Sequence, residues 1–213
     1  MNVLRRGRRP PYKLLSLLLQ YPNDDLLAAR PAIDEEIEAL PSSPERTALR
    51  RFFEHFGRRP GIELQQEYVE TFDLKKQCGL YLSHYTEGDT RKRGMALLRL
   101  KRLYAAAGLP LEGPELPDYL PVMLEFAALA PAGHGRRLLA EHRPGLELLR
   151  AALRECGSPH LLLVDAVCAN LPRPAAAELE RVRRLAVQGP PLEEVGLQPF
   201  APPEVMPGFE ARR

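Results

Sequence analysis

The stretch Glu115-Leu116-Pro117-Asp118-Tyr119-Leu120-Pro121, running on into Val122-Met123-Leu124-Glu125-Phe126, decides how this chain reads. Two prolines bracket an aspartate, and an apolar run follows. Asp118 is placed to cap a helix, because its carboxylate can accept the free N–H groups of a first turn. Pro121 then falls inside that turn, where a missing N–H costs little. Pro117 biases Leu116 toward an extended backbone. The corner is stiff and holds Leu116, Tyr119 and Leu120 on a fixed frame. Taken alone, it is also what an ordinary helix start looks like.

Outward from that corner a period of 3.6 dominates, and strand signals are scarce. Downstream, the helix from Tyr119 runs to about Ala130. Further helices are expected over 133–142, from Pro144 to Gly157, from Ser158-Pro159 to Leu171, and over about 175–188. Upstream, a basic helix over 91–107 ends at Gly108-Leu109-Pro110. Before it, Leu80, Tyr81 and Leu82 are consecutive, which fits a helix or a short extended piece; helical neighbours favour helix for 74–85. Leu64, Tyr68 and Phe72 repeat every four residues over 62–72. Ser43-Pro44-Glu45 opens a helix that carries Leu49, Phe52, Phe53 and Phe56 and stops at Gly57. One helix is expected over 24–40, with Ile33, Ile37 and Leu40 as its stripe, and another over 12–21, closed by Pro22.

Short loops between roughly nine helices give an all-α, single-domain multi-helix bundle over 12–188. Residues 1–11, with Arg5, Arg6, Arg8 and Arg9, read as a mobile basic N-terminus. Residues 189–213 carry Pro190, Pro191, Pro199, Pro202, Pro203 and Pro207 and read as a largely disordered tail.

Composition narrows the function classes. With 213 residues and 45% hydrophobic content, one real core is affordable. The formal charge is +2, from 30 basic and 28 acidic residues, so no strong field pulls toward nucleic acid or an anionic membrane. No apolar run approaches the ~20 residues that span a bilayer. The arginines before Leu14–Leu19 faintly resemble a signal peptide, but Ser16 breaks the run and no cleavage site follows. Cys78, Cys156 and Cys168, without a C-x-x-C, fit a reducing compartment.

Signatures of chemistry are missing. There is no phosphate loop, dinucleotide fingerprint or serine elbow. His55, His84, His134, His142 and His160 form no H-E-x-x-H pair, and the six-residue spacing of Cys78 and His84 shares no helix face. Glu67, Glu70 and Asp73 read as a solvated face before an acid–base pair. Arg91, Lys92, Arg93, Arg99, Lys101 and Arg102 are the best case for nucleic acid. Aromatic residues for base stacking are thin there, so a structural basic face, or one for an acidic partner, fits better.

A second stretch changes the picture. Tyr68-Val-Glu-Thr-Phe-Asp-Leu-Lys75 continues through Leu80-Tyr81-Leu82 to Gly88-Asp89-Thr90-Arg91-Lys92-Arg93-Gly94-Met95. Together with the Glu115–Pro121 corner and Leu18-Leu19-Gln20-Tyr21-Pro22, it resembles the NarJ family. These are the delta-subunit assembly chaperones of respiratory nitrate reductase, kin to the TorD/DmsD redox-enzyme chaperones. The motifs stand in family order over roughly residues 12–188. The resemblance implies an all-helical cytoplasmic chaperone with no enzymatic activity and no stably bound cofactor. Its partner would be the apo alpha subunit of nitrate reductase, held through its N-terminal segment for molybdenum cofactor insertion before membrane attachment. Cofactor-biosynthesis proteins are further partners that it allows. A paralogue serving another molybdoenzyme is the alternative, and the chain itself would be a monomer or weak dimer.

A physical account of that role is a groove between helices for an amphipathic client helix. Tyr68, Phe72, Tyr81, Leu82, Leu116, Tyr119, Leu120, Met123 and Phe126 are its candidate walls, and Met95 with Met123 would add adaptability. Asp73, Glu115, Asp118 and Glu125, with Glu67, give an acidic rim that suits a basic client. Phe72, Leu120 and Phe126 fit a core equally well. Asp89-Thr90 is expected to cap the basic helix, with Arg91 and Arg93 tying the loop to Asp73 or Glu115. Pro117 and Pro121 act as structural residues, and no metal ligands are expected.

Overall fold

The computed structural model describes residues 10–131 and 133–191. Most of the expected basic end and of the Pro-rich tail lies outside the described residues. Among the described residues, twelve α-helices follow one another: α1 (Tyr12–Leu18), α2 (Asp24–Ala28), α3 (Arg30–Ala39), α4 (Pro44–Arg58), α5 (Gly61–Tyr68), α6 (Leu82–Glu87), α7 (Arg91–Ala106), α8 (Leu120–Leu129), α9 (His134–Glu141), α10 (Arg143–Glu155), α11 (Leu161–Ala169) and α12 (Ala176–Gln188). The all-α expectation therefore holds, with more and shorter helices than the periodicity suggested.

Local chemistry explains most of the boundaries. The Ser43 hydroxyl accepts the Arg46 N–H at 3.1 Å, and Pro44 takes the first helical position of α4. Asn23 caps α2 in the same way, accepting the Leu26 N–H at 2.9 Å. The single helix expected over 24–40 divides at Ala29. Pro31 lacks an N–H, and its ring would meet the carbonyl four residues back, so α3 starts afresh with this proline in its first turn.

The region between Tyr68 and Leu82 departs furthest from expectation. A π-helical turn spans Val69–Asp73, and a 3-10 turn spans Lys76–Cys78. Residues 79–81 are then extended where helix was favoured. Tyr81 forms an isolated antiparallel bridge with Tyr119. The Leu82 N–H donates to the Asp118 carbonyl at 3.0 Å, and the Leu120 N–H to the Leu80 carbonyl at 2.8 Å. The three consecutive apolar residues thus obey a period of 2: Leu80 and Leu82 are buried, and Tyr81 between them is half-exposed.

The core forms around α8, which packs against α1 and α9, while α4 packs on α11 and α10 backs α6, α11 and α12. Leu15, Leu49, Leu82, Leu120, Met123, Leu124, Leu139, Leu146, Leu149 and Leu153 have no exposed surface. α8 and α9 approach so closely that a Cβ on Gly135 would sit 2.1 Å from the Ala127 Cα. Only glycine fits that contact. α12 is an outer helix with none of its residues buried. Among the described residues, no helix is long and apolar enough to cross a membrane.

Candidate functional site

The sequence motifs, far apart along the chain, meet in space at Tyr68 and Asp118. Tyr68 ends α5, and its hydroxyl donates to the Leu19 carbonyl at 3.4 Å. The same hydroxyl lies 3.0 Å from that of Tyr119. The Tyr21 ring meets Tyr68 edge-on with centroids 5.5 Å apart, and Tyr81 lies 5.3 Å from Tyr119. Residues from the Leu-Leu-Gln-Tyr-Pro, Tyr-x-x-x-Phe-Asp and Glu-Leu-Pro-Asp segments therefore share one tyrosine cluster.

Asp118 is fully buried and does not cap its own helix. Tyr119 is the N-cap residue of α8, with no side-chain cap. The Asp118 carboxylate instead accepts the Ser83 backbone N–H at 3.2 Å and the Ser83 hydroxyl at 2.6 Å. It caps α6, a helix 35 residues upstream. The Arg93 guanidinium stands 3.6 Å away and also pairs with Asp89 at 3.2 Å. This corrects the expected Arg93 partners, Asp73 and Glu115. It also corrects the Asp89-Thr90 cap: Thr90 precedes α7 with no side-chain cap, and its hydroxyl donates to the Glu87 carbonyl at 2.8 Å.

Other buried hydrogen bonds bolt the corner in place. The Tyr104 hydroxyl donates to the Pro117 carbonyl at 2.6 Å, and the Ser16 hydroxyl to the Pro121 carbonyl at 2.8 Å. Pro117 lies before α8, so its buried carbonyl has no helical N–H to accept and Tyr104 supplies its donor. Ser16, Ser83 and Tyr104 were not singled out from the sequence, because their partners lie 105, 35 and 13 residues away.

Much of the expected groove wall is core. Leu82, Leu120 and Met123 have no exposed surface, and Phe72 and Phe126 are buried, Phe126 against Tyr104 at 4.6 Å. They cannot line a surface trough, because the turns on either side bring them under neighbouring helices. Tyr68 is also buried. What remains accessible is Tyr81 and Tyr119, both half-buried, with exposed Leu116, Glu115 and Asp73. The Tyr81 hydroxyl donates to Glu115 at 3.4 Å. Burial pushes the Tyr81 phenol up, and the charges of Glu115, Asp118 and Asp73 add to it. Burial likewise raises Tyr119 to about 12, with Glu115 contributing. Both phenols stay protonated donors over the physiological range.

A cleft of about 220 Å³ opens one helical turn further along α8, lined by Tyr104, Leu109, Leu111, Val122, Phe126 and Leu129 and rimmed by Glu112 and Glu125. The cleft is large enough to admit side chains. Glu125 is paired with Lys13. No group of three or more His, Cys, Asp and Glu stands ready for a metal among the described residues.

Comparison with known proteins gives this arrangement a family. The chain is 37% identical over 157 residues to the nitrate reductase-like protein NarX of Mycobacterium tuberculosis, but spans only 24% of that protein's length. It is 34% identical to NarJ of Bacillus subtilis (strain 168), with 77% of this chain and 89% of that protein covered. It is 32% identical to the nitrate reductase molybdenum cofactor assembly chaperone NarJ of Escherichia coli (strain K12), covering 71% of this chain and 65% of that one. In three dimensions it is similar to a redox enzyme maturation protein from Archaeoglobus fulgidus, at a TM-score of 0.55 and 26% identity, over 78% of this chain and 95% of that one. The family model of the nitrate reductase delta subunit matches residues 38–164, a span that holds Tyr68, Tyr81, Tyr119, Arg93 and Asp118. The chain belongs to the nitrate reductase delta subunit family, the NarJ family.

Proposed function

We propose that this protein is a cytoplasmic assembly chaperone for a molybdoenzyme of the nitrate reductase kind. It binds the N-terminal segment of the apo catalytic subunit and keeps that subunit competent for cofactor insertion before membrane attachment. The chain performs no reaction and binds no cofactor stably; the client receives the molybdenum cofactor. It works as a monomer or weak dimer over the helical domain 12–188.

One observation carries the reading: the family's motifs, scattered over about 100 residues, are folded into one rigid corner whose accessible edge is aromatic and acidic. Tyr81 and Tyr119 offer ring faces and phenol donors, and Glu115 and Asp73 offer charge. Such an edge suits a segment that carries lysine or arginine beside apolar side chains. The apolar cleft along α8 would take one or two of those side chains. Ordering the client segment costs about 2–5 kcal/mol, which keeps affinity moderate and release possible.

Calorimetry with a synthetic peptide of the catalytic subunit's first few dozen residues tests this. A dissociation constant of ~0.01–10 μM, about 7–11 kcal/mol, is expected. It should weaken with added salt and in the Glu115→Gln and Tyr81→Ala variants. No heat at high micromolar peptide would overturn the proposal.

A further inference from the structure

Two thiols meet beside the site. Cys78 closes the 3-10 turn that leads into the Gly79–Tyr81 extended piece, and Cys156 follows the last turn of α10. Their sulfurs are 3.9 Å apart although the residues are 78 apart in sequence. Cys78 is fully buried and Cys156 is half-exposed, so one thiol of the pair is open to a reagent. We propose that Cys78 and Cys156 form a reversible disulfide that pins the turn before Tyr81 to α10.

Geometry and surroundings support the pairing. A bond needs the sulfurs to close from 3.9 Å to about 2.05 Å, and the turn that carries Cys78 already packs on α10. The turn is held on its other side by Tyr85, whose hydroxyl donates to the Gln77 and Gly79 carbonyls at 2.7 and 2.9 Å. α10 also lies directly under the next element, because a Cβ on Gly145 would sit 2.8 Å from the Leu82 carbonyl oxygen. A bond from Cys78 to Cys156 therefore ties the segment that leads to the Tyr81–Tyr119 bridge to the helix that backs it. The third thiol, Cys168, is buried and has no thiol partner of this kind.

The step is thiol–disulfide exchange with a small-molecule disulfide such as oxidised glutathione. The accessible Cys156 thiol gives up its proton, and its Sγ attacks one sulfur of the reagent and expels one glutathione thiolate, which takes up a proton. The Cys78 thiol then gives up its proton, attacks Cys156 Sγ and expels the second thiolate. Two protein thiols are oxidised, one disulfide is reduced, and both thiol protons end on glutathione. Burial pushes the Cys78 thiol up to about 12, so Cys156 is the entry point and Cys78 the resolving thiol.

The purified full chain, incubated with excess oxidised glutathione and quenched in acid, is assayed for free thiols in denaturant and run on a non-reducing gel. The expected result is a fall from three thiols to one in a monomer, reversed by reduced glutathione, and an unchanged pairing in Cys168→Ala. Cys156→Ser should keep its thiols or stop at a glutathione adduct. In intact protein, the oxidised form should show slower amide exchange over 76–82. Three thiols still free, a dimer in place of an internal bond, or the same loss in Cys156→Ser overturns the proposal. If Cys156→Ser proves unstable, Cys156→Ala gives the same readout.

Discussion

Replacing Asp118 by alanine separates a local helix cap from a long-range anchor. A cap lost at a helix start costs about 1 kcal/mol. The structure assigns more. The carboxylate accepts two hydrogen bonds from Ser83, at 3.2 and 2.6 Å, and sits 3.6 Å from Arg93 with no exposed surface of its own. Charge-assisted bonds contribute about 1.5–3 kcal/mol each, and the truncation leaves the Ser83 donors buried beside a void. Arg93 keeps its pair with Asp89, and burying the carboxylate carried its own cost, so the contributions do not simply add. The expected loss for Asp118→Ala is about 3 kcal/mol. At a urea dependence of ~2 kcal/mol per molar, the unfolding midpoint falls by about 1.5 M. Asp118→Asn keeps an acceptor for Ser83 and should lose about half as much. A double-mutant cycle with Ser83→Ala should show coupling of at least about 1 kcal/mol. A loss below about 1 kcal/mol with no coupling to Ser83 would refute the anchor.

Other outcomes follow from contacts elsewhere in the fold. Gly135→Ala forces a Cβ against Ala127 and should destabilise by about 1–3 kcal/mol in the same urea assay, with Ala127→Gly restoring part of it. Tyr104→Phe leaves the buried Pro117 carbonyl without its 2.6 Å donor and should cost about 1–2 kcal/mol. Burial, with His55 nearby, holds the His160 imidazole down to about 3, against about 6.5 in an unfolded chain. The folded form therefore keeps His160 neutral, and its stabilisation is complete above about pH 6.5 and lost as pH falls toward 3. Between about pH 5.5 and 4, wild type should lose about 1.4 kcal/mol per pH unit more than His160→Gln. Parallel pH profiles would contradict this.

The helices were legible because their signals are local. Ser43-Pro44 and the Leu49, Phe52, Phe53 and Phe56 stripe place α4 within a residue or so of where it lies. Asp118 shows where local reading stops. Its position before a helix suggested capping, and it does cap a helix, but one that starts 36 residues earlier at Leu82. No spacing rule reaches across that distance. The same limit hid the bridge: Leu80-Tyr81-Leu82 looked helical by its neighbours, while the residue that Tyr81 pairs with, Tyr119, lies in another motif. Groove and core were indistinguishable for Leu82, Leu120, Met123 and Phe126, because apolar residues at helical spacing carry no label for which side is covered. Of the residues in the segments that carry the family resemblance, Tyr68, Phe72, Leu82, Leu120, Met123 and Phe126 are buried, and Asp73, Tyr81, Glu115, Leu116 and Tyr119 keep exposed surface.

In the proposed function, the Tyr81–Tyr119 edge, with Glu115 and Asp73, receives a client's N-terminal segment. Amide hydrogen exchange on the full chain, with and without the catalytic-subunit peptide, tests it most directly. The exposed loop over 111–116 has few hydrogen bonds and should exchange quickly when free. Saturating peptide should slow exchange there and over 73–83, and leave α12 unchanged. Peptide that binds while protecting only α12, α3 or the outer face of α7 would contradict it.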